Sequence, residues 1–159
     1  MPHRTLHKFL VLAVATVGGL GFLPLAPGTW GSVAALLLRR PLSLLGPWWY
    51  GLIVALTITA ALLVTDPAQK YLHHPDPRPV VVDEVVGTLV ALAGLPLSWT
   101  WALAGFALFR LLDIAKPWPI PWFSSGNGAL DVVADDVIAG LLTRLLLEGV
   151  FRFQVAVWG

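Results

Sequence analysis

Carboxylates are the side chains whose number and placement in this sequence could do chemistry. Six of the nine acidic residues fall between Asp83 and Asp136, namely Asp83, Glu84, Asp113, Asp131, Asp135 and Asp136. An ionisable group near a bilayer centre costs at least ~2.5 kcal/mol, so acids gathered in an apolar chain point to function. Close carboxylates repel unless a cation neutralises them. Their hard oxygens suit Mg²⁺ or Ca²⁺, and Mg²⁺ takes one or two carboxylates together with phosphate oxygens and water. Each acid alone has a plainer reading as a helix cap in the headgroup layer. Three clusters together weaken that reading.

Helix geometry restricts the roles. Adjacent residues point about 100° apart, whereas i, i+3 and i, i+4 share a face. Asp83 and Glu84 therefore divide into one metal ligand and one supporting or capping group, as do Asp135 and Asp136. Arg110 and Asp113 can share a face. Lys116 follows three residues later, where Pro117 should end the helix. This set is either a structural ion pair or a grip for phosphate, with Arg110 offering a bidentate fork. The stretch Pro27-Gly28-Thr29-Trp30-Gly31-Ser32 reads as a tight turn entering a helix. Thr29 would be its N-cap, leaving N–H groups suited to an anion, although Thr after Gly is also ordinary capping. His73 and His74, in a Pro-rich polar loop, read as solvated. Arg144 and Glu148 read as an i, i+4 pair.

The elements that carry these groups are apolar. At 57% hydrophobic and 12% charged residues in 159, the chain departs from soluble domains, which are about a quarter charged. Phe9–Leu38, Pro41–Thr65 and Val85–Phe109 contain no charged residue, and each exceeds the ~20 residues that cross a bilayer core. In lipid such runs must be helical. The expected fold is an all-α integral membrane bundle, one domain over 1–159, with several short or broken helices. Pro24, Pro27-Gly28, Pro47 and Gly94-Leu95-Pro96 mark the breaks, and a last helix is expected over about Val137–Phe151. Several of the eight Trp residues lie near span ends, where they suit the headgroup region or fill helix contacts. His3, Arg4 and Lys8 before an apolar run resemble a signal peptide, but without a convincing cleavage site the run is kept in the mature chain.

Convergence has a topological condition. Were Val85–Phe109 one straight helix, Asp83/Glu84 and Asp113 would lie roughly 37 Å apart at 1.5 Å per residue. A turn at Gly94–Pro96 brings them to one face, where Asp135, Asp136 and Thr29 can join them, in a layout of six helical segments. That face would carry Lys70, Arg78, Arg110 and Lys116, with Arg4, Lys8, Arg39, Arg40 and Arg152 opposite. The bias is too even to orient the chain. A net charge of +1 gives no nucleic-acid surface. The lack of cysteine removes thiolate nucleophiles and disulfides.

Four blocks, taken in order, carry a resemblance. These are Pro27–Ser32, Asp83-Glu84-Val85-Val86-Gly87, the run from Phe109 to Ile120 containing Arg110, Asp113, Lys116 and Pro117, and Asp135-Asp136-Val137-Ile138-Ala139-Gly140. They resemble the ordered motifs of the phosphatidylglycerophosphatase A family over about residues 9–150. Asp76 matches an acidic spot before the second block less closely. Asp131 departs from the family pattern and is given no catalytic role. The resemblance implies Mg²⁺-dependent hydrolysis of phosphatidylglycerophosphate to phosphatidylglycerol and phosphate, on the cytoplasmic side of a bacterial inner membrane.

On that basis Asp83, Glu84, Asp113, Asp135 and Asp136 are the expected metal-binding and catalytic acids. Thr29, Ser32, Arg110 and Lys116 are the expected substrate contacts. Water attack is expected, with one carboxylate as base. The rival reading is a small membrane transporter or channel component that uses intramembrane acids and Arg110 as an ion path. A structural membrane subunit with capped helices is the third.

Overall fold

The computed structural model describes residues 2–123, 126 and 128–158. Six α-helices follow one another: α1 (Pro2–Ala15), α2 (Pro27–Leu44), α3 (Pro47–Leu72), α4 (Val82–Leu92), α5 (Trp99–Ala115) and α6 (Ala129–Trp158). Single 3₁₀ turns at Leu20–Phe22 and Ile120–Trp122 lie between helices. The all-helical, six-segment expectation is borne out, with no strand among the described residues. The expectation of several membrane spans is not confirmed. Among the described residues, only α3 is both long and apolar enough to cross a membrane. Prolines and glycines cut the other long apolar runs into shorter helices.

The helix limits differ from the sequence reading in three places. Pro27 opens α2 as a first-turn proline behind Ala26 at φ 54, so Thr29 lies within the first turn and is not its cap. Pro67 sits inside α3, which continues to Leu72, seven residues past Thr65, where the uncharged run ends. The last helix begins at Ala129, eight residues before Val137, because the Ala129 N–H donates to Asp66 Oδ1 of α3 at 2.7 Å. A carboxylate 63 residues away thus satisfies one of the free donors of the α6 N-terminus.

Helix α4 is the buried centre, packed against α2, α3, α5 and α6. Val82, Val85, Val86, Leu89, Ala91 and Leu92 are all buried. Glycine allows the α4–α6 approach. A Cβ on Gly140 would lie 2.4 Å from the Gly87 carbonyl oxygen, and one on Gly87 would meet the Asp136 carbonyl and the Phe109 ring. Gly94, at φ +67, turns the chain from α4 into α5, a left-handed conformation that suits glycine. The Gly94–Pro96 hairpin therefore forms.

These packings give the bundle two ends. At one, which carries the acids, the N-termini of α2, α4 and α6 meet the C-terminus of α5. At the other, the α4–α5 turn is held by two arginines. Arg39 Nη2 donates to the Leu95 and Pro96 carbonyls at 2.7 and 2.6 Å, and Arg144 Nε donates to the Ala93 carbonyl. Arg144 also meets Glu148 at 2.6 Å, the pair the spacing predicted. One placement is corrected. His7 bonds Tyr71 at 2.8 Å and Lys8 lies over its ring, so Lys8 is beside the C-terminal part of α3 and Lys70, not opposite them. Apolar side chains cover the outside: Leu6, Phe9, Leu56, Leu63, Leu103, Ile114 and Leu145 are all exposed.

Candidate active site

Asp83 and Glu84 occupy the first turn of α4, where free N–H groups and the helix dipole favour negative charge. Asp136 projects from the second turn of α6. One carboxylate oxygen from each of these three lies within 4.8 Å of the others. Asp83 and Asp136 are buried, and Glu84 is nearly so. This is the spacing and donor chemistry of a hard-cation site. Asp83 Oδ1, Glu84 Oε2, Asp135 Oδ1 and Asp136 Oδ2 are buried without a hydrogen-bond partner, a costly condition that a cation would relieve.

Burial pushes the Asp83 carboxyl up to about 6. Burial first, then the Asp83 and Asp136 charges, holds Glu84 well above its ordinary value. These three acids cannot all stay ionised in so dry a place without positive charge. The residues present fit a divalent ion.

Two cations flank the cluster. Arg110 Nη1 lies 2.7 Å from Asp113 Oδ2 and 3.9 Å from Glu84 Oε1, bridging α5 to α4. Lys116 Nζ lies 2.5 Å from Asp135 Oδ2. Lys116 ends α5 at φ 41, a strained left-handed position for a non-glycine residue, and this carries its chain towards α6. Burial alone would lower its ammonium. The bond to Asp135 and the nearby carboxylates reverse that and raise it. Asp135 and Asp136 divide as helix geometry required, Asp136 joining the trio while Asp135 pairs with Lys116. Asp83 and Glu84 do not divide as expected, because from the first turn of α4 both carboxylates reach the trio.

A cavity of about 480 Å³ opens over the cluster, lined by Asp76, Asp83, Glu84, Asp113, Lys116, Asp131, Asp135 and Asp136, with Gly126 and Val132. Six of the nine expected site residues therefore share one cavity. Arg110 stands behind it as a carboxylate clamp. Thr29 and Ser32 do not line it. Ser32 is fully buried in α2 with its hydroxyl unpartnered. The first block contributes instead through Gly28, where a Cβ would come within 1.9 Å of Glu84 Oε1 and 3.1 Å of Arg110 Nη1.

Two lining acids were not placed in the site by the sequence. Asp131 accepts from the Gly126 N–H at 3.1 Å. Asp76 comes from the α3–α4 loop, and its position before the Asp83-Glu84 pair was the available signal.

The phosphatidylglycerophosphatase A family model matches residues 13–151. The chain is 37% identical over 132 residues to phosphatidylglycerophosphatase A of Escherichia coli strain K12, covering 81% of this chain and 76% of that protein. It is 36% identical over 143 residues to phosphatidylglycerophosphatase A of Haemophilus influenzae, covering 88% and 85%. A Bacteroides thetaiotaomicron protein, provisionally named a phosphatidylinositol-3-phosphatase, is 35% identical over 148 residues, covering 88% and 92%. No solved structure matches.

Proposed function

The chain belongs to the phosphatidylglycerophosphatase A family, and from that premise we propose that it removes the terminal phosphate of phosphatidylglycerophosphate by Mg²⁺-dependent hydrolysis. It is a phosphatase acting on a phosphate monoester. The observation that carries the reading is the buried trio Asp83, Glu84 and Asp136, with oxygens within 4.8 Å and, among the described residues, no cationic side chain at hydrogen-bonding distance from any of the three. Without a bound cation such a cavity would repel a phosphate.

Asp83, Glu84 and Asp136 would hold the ion. When bound, Mg²⁺ supplies neutralisation of phosphate oxygens and orientation of the attacking water. The remaining work falls to the chain. Lys116, about half exposed and on the cavity wall, reaches the phosphoryl oxygens, since charge neutralisation and positioning dominate phosphoryl transfer. Arg110 holds Asp113 and Glu84 in place. Asp113 and Asp135 stand outside the trio beside Arg110 and Lys116, and one of them takes the proton from water as it attacks phosphorus. The P–O bond to the lipid breaks as the water oxygen bonds phosphorus, and the departing lipid oxygen takes up a proton to leave as the alcohol.

The membrane reading is supported by α3 and by two bands of exposed tryptophan. Trp30, Trp118 and Trp122 lie at the acidic end, whereas Trp48, Trp49, Trp99 and Trp158 lie at the turn end. The 17 residues of α5 between the bands rise about 25 Å, close to the ~30 Å hydrocarbon core. The acidic cavity would then meet the headgroup layer, on the cytoplasmic side in the proposed orientation.

Phosphate release from phosphatidylglycerophosphate by the purified protein, with Mg²⁺ and with EDTA, tests the proposal. Turnover that EDTA abolishes and Mg²⁺ restores is expected. Turnover indifferent to both would refute the metal role, and none under either condition would refute the substrate. Ion flux through reconstituted protein would favour a transporter, for which no structural observation speaks.

A further inference from the structure

We propose that the cavity between α2 and the start of α5, at the turn end, binds an anionic phospholipid whose phosphate is held by Arg39 and Arg40. This site is separate from the acidic cavity and does not depend on the phosphatase reading. It measures about 500 Å³, and its walls include Leu36, Arg39, Arg40, Ser98, Trp99 and Ala102.

Three observations point to an anion there. Arg39 is 3% exposed and its Nε has no hydrogen-bond partner, while its Nη2 is committed to the turn carbonyls. A buried guanidinium N–H without an acceptor is costly. Arg39 and Arg40 lie side by side on this wall, and neither has a carboxylate partner among the described residues. Finally, the 17-residue helix α5 starts at this cavity, with Ser98 as its N-cap. The Trp101 N–H is taken by Ser98 Oγ, so the remaining first-turn N–H groups and the positive end of the dipole lie at the same cavity as the two arginines.

The remaining walls decide the ligand class. Leu36, Leu37, Leu97 and Ala102 make the cavity largely apolar beyond its charged corner, and Trp99 is exposed at its rim. A free anion would use only the corner. A phospholipid uses both parts, with its phosphodiester at Arg39 and Arg40 and its acyl chain along α2 and α5. The tryptophan band at this end sets the corner at headgroup depth.

Crosslinking tests this on the full chain in neutral detergent. The probes are phosphatidylglycerol and phosphatidylcholine with a photoactivatable group at the same acyl position, the adducts being mapped by peptide mass spectrometry. Phosphatidylglycerol should label segments 36–40 and 97–102 about tenfold more than phosphatidylcholine, as expected for a charge-assisted contact. Arg40→Ala should remove most of that excess, Arg40→Lys should restore part of it, and phosphate release should not change. Equal labelling by the two lipids, or labelling unaltered in Arg40→Ala, would overturn the proposal. Loss of labelling in millimolar inorganic phosphate would also overturn it, because the site would then be one for a free anion.

Discussion

Gly28 of α2 lies against Glu84 of α4 so closely that a single added methyl would fall 1.9 Å from Glu84 Oε1. The glycine is therefore the floor beneath one carboxylate of the trio, and the reason α2 can sit there. In Gly28→Ala the end of Glu84 must move, since the atoms the new methyl meets are side-chain ends. A misplacement of about 1 Å at a reacting centre costs roughly a hundredfold, so kcat/KM for phosphate release should fall by about that factor. Gly51→Ala is the control, since nothing lies within 4 Å of that site. It should leave steady-state kinetics unchanged.

Neutral isosteres of the trio should separate activity from stability. Asp83→Asn, Glu84→Gln and Asp136→Asn each remove one charge from a buried group of like charges, which eases repulsion in the metal-free protein. Each should lose at least about a hundredfold in turnover, the scale of removing a preorganised electrostatic contact. In EDTA each should melt at or above the parent temperature. A variant that loses activity only because it unfolds would show the opposite, a lower melting temperature in EDTA.

Metal and pH should act together on stability. Burial raises Asp83 to about 6, above its ordinary 3.8, and Glu84 is raised as well. Between those values the folded chain binds more protons than the unfolded one, so stability falls as pH rises through this window. Without metal the protein should therefore melt lower at pH 8 than at pH 5. A cation binds the ionised form, so the melting-temperature gain on adding Mg²⁺ should be larger at pH 8. Thermal unfolding at both pH values, in EDTA and in Mg²⁺, checks both signs.

What the sequence made legible was local. Gly94-Leu95-Pro96 announces a turn by its own chemistry, and Pro117 announces the end of α5, so the convergence of Asp83, Glu84 and Asp113 followed from residues near one another. The early start of α6 did not, because its first donor is satisfied by Asp66 from α3. Arg39 was placed only by its end of the bundle, with Arg40 and opposite the acids. It is buried because the turn carbonyls of Leu95 and Pro96, 56 and 57 residues away, need donors. Ser32 was expected to contact substrate because Pro27–Ser32 resembles the family's first block and reads as a turn entering a helix. The helix starts earlier than that reading supposed and aims the hydroxyl into packing.

Gly87 and Gly140 show that a motif glycine can act on the fold as well as on the acids, and the prediction there differs in kind from that for Gly28. A Cβ on Gly140 would meet the Gly87 carbonyl at 2.4 Å and Val90 Cβ at 3.1 Å. These are backbone and branched core atoms, which cannot swing aside like the end of Glu84. Gly140→Ala should therefore force α6 away from α4. Overpacking of this kind costs ~1–3 kcal/mol, a fall of roughly 2–10 °C in melting temperature for a chain of this length. Asp136 lies one turn before Gly140 on the same helix, so the trio would widen as the helices part. Turnover, the Mg²⁺-induced gain in melting temperature and overall stability should decline together. Gly28→Ala should keep its melting temperature within about 2 °C while losing turnover, because only a side-chain end is displaced. Measuring both quantities for both variants distinguishes a glycine that spaces the helices from one that seats a single carboxylate. A Gly140→Ala protein of parental stability and full activity would show that the α4–α6 contact does not hold the trio together.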